Sequence, residues 1–549
     1  MPQSYLSILL FLPVLGIPLL FLSKKEAWIR SVASLLTLGV FGMTVPLFLE
    51  FAQGDSGFQF SHRIWNFLDL GNGGLDYYVA VDGFSLLLVA MSALLFFLSA
   101  LSAFSNVKHR VREFFILLLL VETGVLGVFL SVNLIQFYVF WEWMVLPFTL
   151  MVGIWGESGR IKAAMKYLVF SFTGSVFMLA SILVLFSYTG TFDLEKLAVA
   201  PLNSIPPELR FWLFMGFSFA FAIKVPLFPL HTWMPDVHEE APTVGSVDLA
   251  GILLKIGLFA YIRVVIPIFP QVFLEYRNFF AGLAVAGIVY GAVVALTQKN
   301  SKRLIAFSSL SHMGFCILGI LTLTEEGVSG GMLQMVNHGF TSGLLFFILG
   351  MLHERTGTNS LGGYSGLAKS APLLAAFIGL GAFASAGLPG TNGFVGEFLI
   401  LLGALKFDLL LGIIAGTAII FAAGYMLIFA KAILFGEPNA VASGMAPLRL
   451  REKFILFLTG GIIIVTGVFP NPLLSYLEPS ARVVLNSVSK QALDERAFSE
   501  QEGSLKTTNK KFVNYKTLGS EVPSYENRIP SLKPGGIPGK RTVAEEAVE

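Results

Sequence analysis

Cysteine is nearly absent: Cys316 stands alone in 549 residues. One thiol cannot close a disulfide framework or hold a cysteine-ligated iron–sulfur cluster within the chain. Charge is scarce too, at 13% of residues against 55% hydrophobic. That balance excludes a string of soluble domains, and nucleic acid is not an expected partner. Walker loops and GxGxxG fingerprints after a soluble strand are missing, so a nucleotide or redox cofactor would have to sit on another chain. No pair of histidines has a metal-ligand spacing, and no metal site is expected. The formal net charge of +2 says little, because the distribution of charge matters more than its sum.

What the chain has instead is apolar runs of about 20 residues almost end to end, each long enough for a transmembrane helix. Fourteen are predicted, at approximately 4–22, 28–50, 80–104, 112–130, 132–154, 163–189, 211–233, 243–268, 274–297, 303–323, 328–352, 371–403, 410–435 and 453–474. The first could pass for a signal peptide, but Lys24, Lys25 and Arg30 follow the run instead of preceding it. That order predicts a retained helix with its amino end outside. Loops after odd-numbered spans carry ~18 Lys and Arg and the others ~6, which places the odd loops in the cytoplasm and both termini outside. The acidic loop at Asp236, Glu239 and Glu240 breaks the trend.

Two spans are interrupted. The seventh reads Lys224-Val-Pro-Leu-Phe-Pro-Leu-His-Thr-Trp-Met-Pro-Asp-Val-His, and the twelfth reads Ala386-Gly-Leu-Pro-Gly-Thr-Asn-Gly-Phe-Val-Gly-Glu397. Gly/Pro-broken helices in corresponding places of two halves point to inverted repeats with sites near the bilayer midplane. The predicted organisation is a three-helix segment (1–110), a five-helix repeat (111–268), a second five-helix repeat (269–436), a last helix with an amphipathic surface helix (437–498) and a polar, disordered tail (499–549).

Charges at membrane depth are costly, by ~3 kcal/mol or more, and mark function. Glu142 sits among aromatics, with Lys224 as its expected partner, and Lys255 on the eighth span has no evident one. Glu397 follows the second break, where capping of the half-helix is the competing role. Glu122, His312 and His338 are candidate relays, and His231 and His238 are candidates for guiding protons in at the cytoplasmic mouth. A fixed structural ion pair is the competing reading of Glu142 and Lys224, but a buried lysine, unlike an arginine, can load and release a proton, and the functional reading is favoured.

These stretches, with Ala241-Pro-Thr-Val-Gly-Ser-Val-Asp-Leu-Ala-Gly-Ile-Leu-Leu-Lys255 and Lys302-Arg-Leu-Ile-Ala-Phe-Ser-Ser-Leu-Ser-His-Met-Gly, together resemble the antiporter-like subunits of respiratory complex I. Glu397 favours the NADH dehydrogenase subunit 4 branch, because the sister chains usually carry lysine there. The resemblance covers residues 1 to about 475 and implies 14 helices with two inverted repeats. It also implies a proton path over Glu142, Lys224, Lys255 and Glu397, in the bacterial inner membrane. NADH, FMN, iron–sulfur clusters and quinone would reside on partner subunits, beside neighbouring antiporter-like chains. A multi-subunit cation/proton antiporter, or a hydrogenase-linked proton pump, is the alternative; a purely structural scaffold would leave four buried charges unexplained.

Overall fold

The computed structural model describes residues 2–54, 57–68, 75–200 and 202–489. The tail expected at 499–549, and residues 490–497 of the expected surface helix, lie outside them. Helices dominate. The first are α1 (Tyr5–Leu15), extended by a 3-10 turn, and α2 (Glu26–Glu50). An antiparallel hairpin follows, β1 (Gln59–Leu68) with β2 (Leu75–Val81). Then come α3 (Gly83–Asn106), α4 (Val111–Leu130), α5 (Leu134–Trp155) and α6 (Arg160–Thr189). The broken seventh segment supplies α7 (Pro207–Lys224) and α8 (Trp233–Glu240). Beyond it run α9 (Thr243–Ile268), α10 (Pro270–Leu296), α11 (Ser301–Leu321) and α12 (Glu325–Thr356). The broken twelfth segment gives α13 (Pro372–Ser385) and α14 (Asn392–Phe407). The described residues end with α15 (Leu409–Leu434), α16 (Leu450–Val468) and α17 (Asn471–Ser489).

Each of the fourteen expected runs falls on a helix or on two helices flanking a break. Ten described helices are long and apolar enough to span a bilayer by themselves, or eleven when the pair α16–α17, bent by 71°, is taken as one span. The expected fourteen therefore also needs the two broken segments and the short α1. The hairpin was not anticipated. Its stretch Phe60-Ser-His-Arg-Ile-Trp does not alternate polar with apolar residues, so no period-2 pattern announced it.

The interior is mostly apolar but also holds the charges at membrane depth, while apolar side chains cover much of the outer surface. Ile161, Val169, Phe172 and Leu183 on α6 are exposed, whereas Glu122, Lys224, His238, Asp248, Lys255 and Glu397 are buried. Helices that cannot gain from hiding apolar surface associate through close packing of small residues. Gly319 of α11 shows this: a Cβ there would lie 2.6 Å from the Gly327 carbonyl oxygen and 3.2 Å from Gly331 Cα, both on α12. At the centre stand α9, α11 and α12, whose most apolar stretches are 94%, 100% and 100% buried. These carry Lys255, His312 and His338. At the edge, α17 turns Leu477, Ala481, Val484 and Val488 inward, the stripe of an amphipathic surface helix.

The acidic exception to the charge rule has a local cause. Asp236 on α8 pairs with Lys166 at 2.7 Å and with Arg303 at 3.1 Å, and Arg303 also takes Glu239 at 2.7 Å. The Glu240 carboxylate receives the Gly159 backbone N–H at 2.7 Å. Cations near the starts of α6 and α11, Lys166 and Arg303, thus clamp α8.

Candidate functional site

The chain stops being helical immediately after Lys224, since Pro226 and Pro229 cannot donate to a helical ladder. An ammonium at that point meets the negative end of the half-helix. Lys224 is 1% exposed, and its Nζ donates to the Tyr167 hydroxyl of α6 at 2.8 Å. The Trp141 and Tyr167 rings lie 5.7 and 5.0 Å from the same nitrogen. Trp233 steadies the break by donating from Nε1 to the Ile223 carbonyl at 3.0 Å.

The expected Glu142–Lys224 ion pair does not form. Glu142 is half-buried on α5 with Oε1 lacking a hydrogen-bond partner among the described residues, and it acts on Lys224 only across space. Tyr167 occupies the place foreseen for the carboxylate, because a phenol on α6 reaches the end of α7 directly.

Lys255 lies between two π-helical turns of α9, Leu249–Leu253 and Tyr261–Val265. Such turns insert a residue into the helix and re-aim side chains, often at functional sites. The Lys255 ammonium donates to the Ala250 carbonyl and to His338 Nδ1, the latter at 2.7 Å. The His338 and His312 rings stand 5.5 Å apart. His312 Nδ1 meets Glu397 Oε1 at 2.7 Å, while its Nε2 shares a hydrogen bond with Ser385 Oγ at 3.1 Å. From Ser385 a hydroxyl chain continues through Ser308 at 3.2 Å to Tyr425 at 2.9 Å. Glu397 is thus engaged by α11 and does not cap α14, whose cap position is Thr391.

Four residues singled out from sequence are therefore contiguous: Lys255, His338, His312 and Glu397. Among the described residues no side-chain hydrogen bond joins them to the Lys224 group. Glu122 stands apart on α4, fully buried with neither carboxylate oxygen hydrogen-bonded, and its electrostatic neighbour is Asp248. Asp248 does not pair with Lys255 either; it accepts from Ser99 at 2.7 Å.

Neither His231 nor His238 opens onto the surface. His231 packs against Phe228 and Tyr290, and His238 stacks on Phe346 at 4.8 Å with both ring nitrogens unpartnered among the described residues. His238 lies within electrostatic range of both Lys302 and Lys255, whereas the nearest charge acting on His231 is Lys166. Tyr167, Gln334, Ser385 and Tyr425 were not anticipated. Neutral polar residues are common in membrane helices and leave no cost signal in a sequence.

A family model described as NADH:quinone oxidoreductase/Mrp antiporter, TM, matches residues 131–422, which include every residue of the row. NADH-quinone oxidoreductase subunit M of Rickettsia conorii is 40% identical over 440 residues, 79% of this chain and 88% of that one. A chain of respiratory complex I from Thermus thermophilus superposes with a TM-score of 0.81 at 35% identity, covering 88% of this chain and 99% of its own. The Mrp complex from Dietzia sp. shares the fold, at TM-score 0.79 and 20% identity over 89% of this chain and 100% of the matched one. The chain belongs to the NADH:quinone oxidoreductase/Mrp antiporter family of transmembrane subunits, alongside the M subunits of NADH-quinone oxidoreductase.

Proposed function

We propose that this chain, a membrane-arm subunit of an NADH:quinone oxidoreductase, conducts protons across the bilayer through the row that ends at Glu397. It carries no redox centre of its own; NADH, FMN, iron–sulfur clusters and quinone belong to its partners, which include neighbouring antiporter-like chains. The carrying observation is the run Lys255–His338–His312–Glu397, in which adjacent members are in hydrogen-bond or ring contact. A proton leaves the Lys255 ammonium for His338 Nδ1, and a neutral amine remains. His338 gives up its Nε2 proton, which the turning of a ring brings to His312 Nε2 in place of Ser385, and His312 passes its Nδ1 proton to Glu397 Oε1. Imidazole suits both middle steps because it accepts at one nitrogen while donating from the other.

Lys224, with Tyr167 and Glu142, forms the corresponding group of the first repeat (111–268), and the second repeat (269–436) carries the outlet. His238, within electrostatic range of both Lys302 and Lys255, supports uptake from the basic, cytoplasmic side. Both termini then lie on the periplasmic side of a bacterial inner membrane.

The test is NADH-driven proton pumping in vesicles holding the whole complex with Lys255→Ala or Lys224→Ala, assembly being checked separately. Removing a positioned proton carrier should lower quinone-coupled pumping by ~10²-fold or more. Pumping at the unaltered level in a fully assembled complex would refute the path.

A further inference from the structure

Gln334 on α12 is buried beside the row, and its two amide atoms are used unequally. Nε2 donates to Glu397 Oε1 at 3.1 Å, while Oε1 has no hydrogen-bond partner among the described residues. An idle acceptor in so enclosed a place is normally selected against. Space has nevertheless been kept for it, since a Cβ on Gly396 would lie 2.3 Å from that oxygen. One turn on, the same face of α12 is fastened to the start of α14. Asn337 Nδ2 donates to the Asn392 carbonyl at 2.8 Å, and Asn392 Nδ2 returns a bond to the Asn337 carbonyl at 3.1 Å. The amide is therefore held in register with the carboxyl it faces.

Glu397 Oε1 receives two donors, His312 and Gln334, while Oε2 lies against Gly387 in the break. We infer that Gln334 is a positioning residue that serves Glu397 in both protonation states, as donor to the carboxylate and, after a half-turn of its amide, as acceptor for the carboxylic acid. In the transfer the His312 Nδ1–H bond breaks and an O–H bond forms on Glu397 Oε1, with no electron exchanged. An amide turned by half a turn then presents its idle Oε1 to the new hydroxyl, for which His312 Nδ1 at 2.7 Å is the competing acceptor. Asparagine and glutamine can do this because the amide carries a donor and an acceptor on one rotor. The other titratable groups facing Glu397 are His312 and Cys316 from α11 and Tyr425 from α15; among the described residues His312 is the one of these hydrogen-bonded to it.

The inference rests on Glu397 belonging to the proton path, so Glu397→Gln is the reference variant. Gln334→Leu removes both functions. Gln334→Glu keeps the shape, and restores donor and acceptor only at pH values low enough for the new carboxyl to carry a proton. Pumping per NADH oxidised would be measured in reconstituted whole complex across pH. Gln334→Leu should lose at least tenfold and move its profile to higher pH, because the carboxylate has lost a donor. Gln334→Glu should recover pumping at the acid end alone. If Glu397→Gln pumps normally, the proton path itself fails. If Glu397→Gln is inactive while Gln334→Leu keeps the parental rate and profile, only this inference fails. Equal loss in both Gln334 variants at every pH would also overturn it, by marking a purely structural role. Should the leucine variant not assemble, the pH dependence of the near-isosteric glutamate variant decides.

Discussion

His338 Nδ1 stands 2.7 Å from the Lys255 ammonium although the two residues are 83 positions apart, on α12 and α9. Both are almost wholly buried, at 4% and 0% exposure, so neither faces bulk solvent. A buried ammonium that loses its partner keeps the cost of burial without compensation. His338→Leu should therefore reduce pumping by ~10²-fold. His338→Gln, which still offers an acceptor but cannot relay, should restore assembly without restoring pumping. Blue-native electrophoresis beside vesicle acidification separates the two effects.

Tyr167 holds Lys224 through one hydroxyl, so Tyr167→Phe isolates that bond while leaving the ring in place. A hydrogen bond to a charged group is worth about 1.5–3 kcal/mol, and thermal unfolding of the complex should register a loss of that order. Combined with Glu142→Gln, the losses should not add, because both groups act on the Lys224 ammonium. Strict additivity in that cycle would contradict the geometry.

Gly396→Ala places a methyl group 2.3 Å from Gln334 Oε1, a separation that forces movement. Overpacking of this kind costs about 1–3 kcal/mol, and here it also pushes the amide off Glu397. Gly416→Ala on α15 is the matched control, having nothing within 4 Å of the added carbon. It should be neutral or slightly stabilising, as alanine is the better helix former. Thermal stability and pumping measured on both variants check the contrast.

In the hairpin, Arg63 bridges Asp76 at 2.6 Å and Asp193 at 2.8 Å, and its guanidinium lies 3.6 Å above the Trp65 ring. Burial works against its charge, but the two carboxylates outweigh burial and hold Arg63 above its ordinary value. A group raised in this way adds stability that is complete below its unfolded value and fades only above it. The clamp should therefore persist through the neutral and alkaline range until arginine itself titrates. Arg63→Lys loses the planar fork and should open the hairpin to protease; limited proteolysis of vesicles at pH 7 and pH 9 should give equal protection in the parent and equal loss in the variant.

The row was legible because charge in an apolar run stands out at once: Lys224, Lys255 and Glu397 could be picked from composition alone. Which charges meet was less legible. Opposite signs suggested Glu142 for Lys224, yet the bond goes to the neutral Tyr167. The breaks at Pro226 and Pro389 were announced by proline, whereas the π turns flanking Lys255 have no residue signature and depend on packing around α9. Gln334 and Asn337 escaped notice for a similar reason. An amide inside a helix becomes informative only when the carboxyl or backbone opposite it is known. His231 and His238, seven positions apart in one motif, looked equivalent; both turned out to pack on aromatic rings, and His238 also lies within electrostatic range of Lys302 and Lys255.

The clamp on α8 also sets an order of events during synthesis. Arg303, which holds Asp236 and Glu239, lies 67 and 64 residues downstream of them. At ~5–20 residues per second the ribosome needs roughly 3–13 s to reach it, during which Lys166 is the clamp cation already made. The Arg303 half of the clamp can therefore close only after the start of α11 has been made, whereas Tyr167, the partner of the lysine at the break, is already in the chain before it.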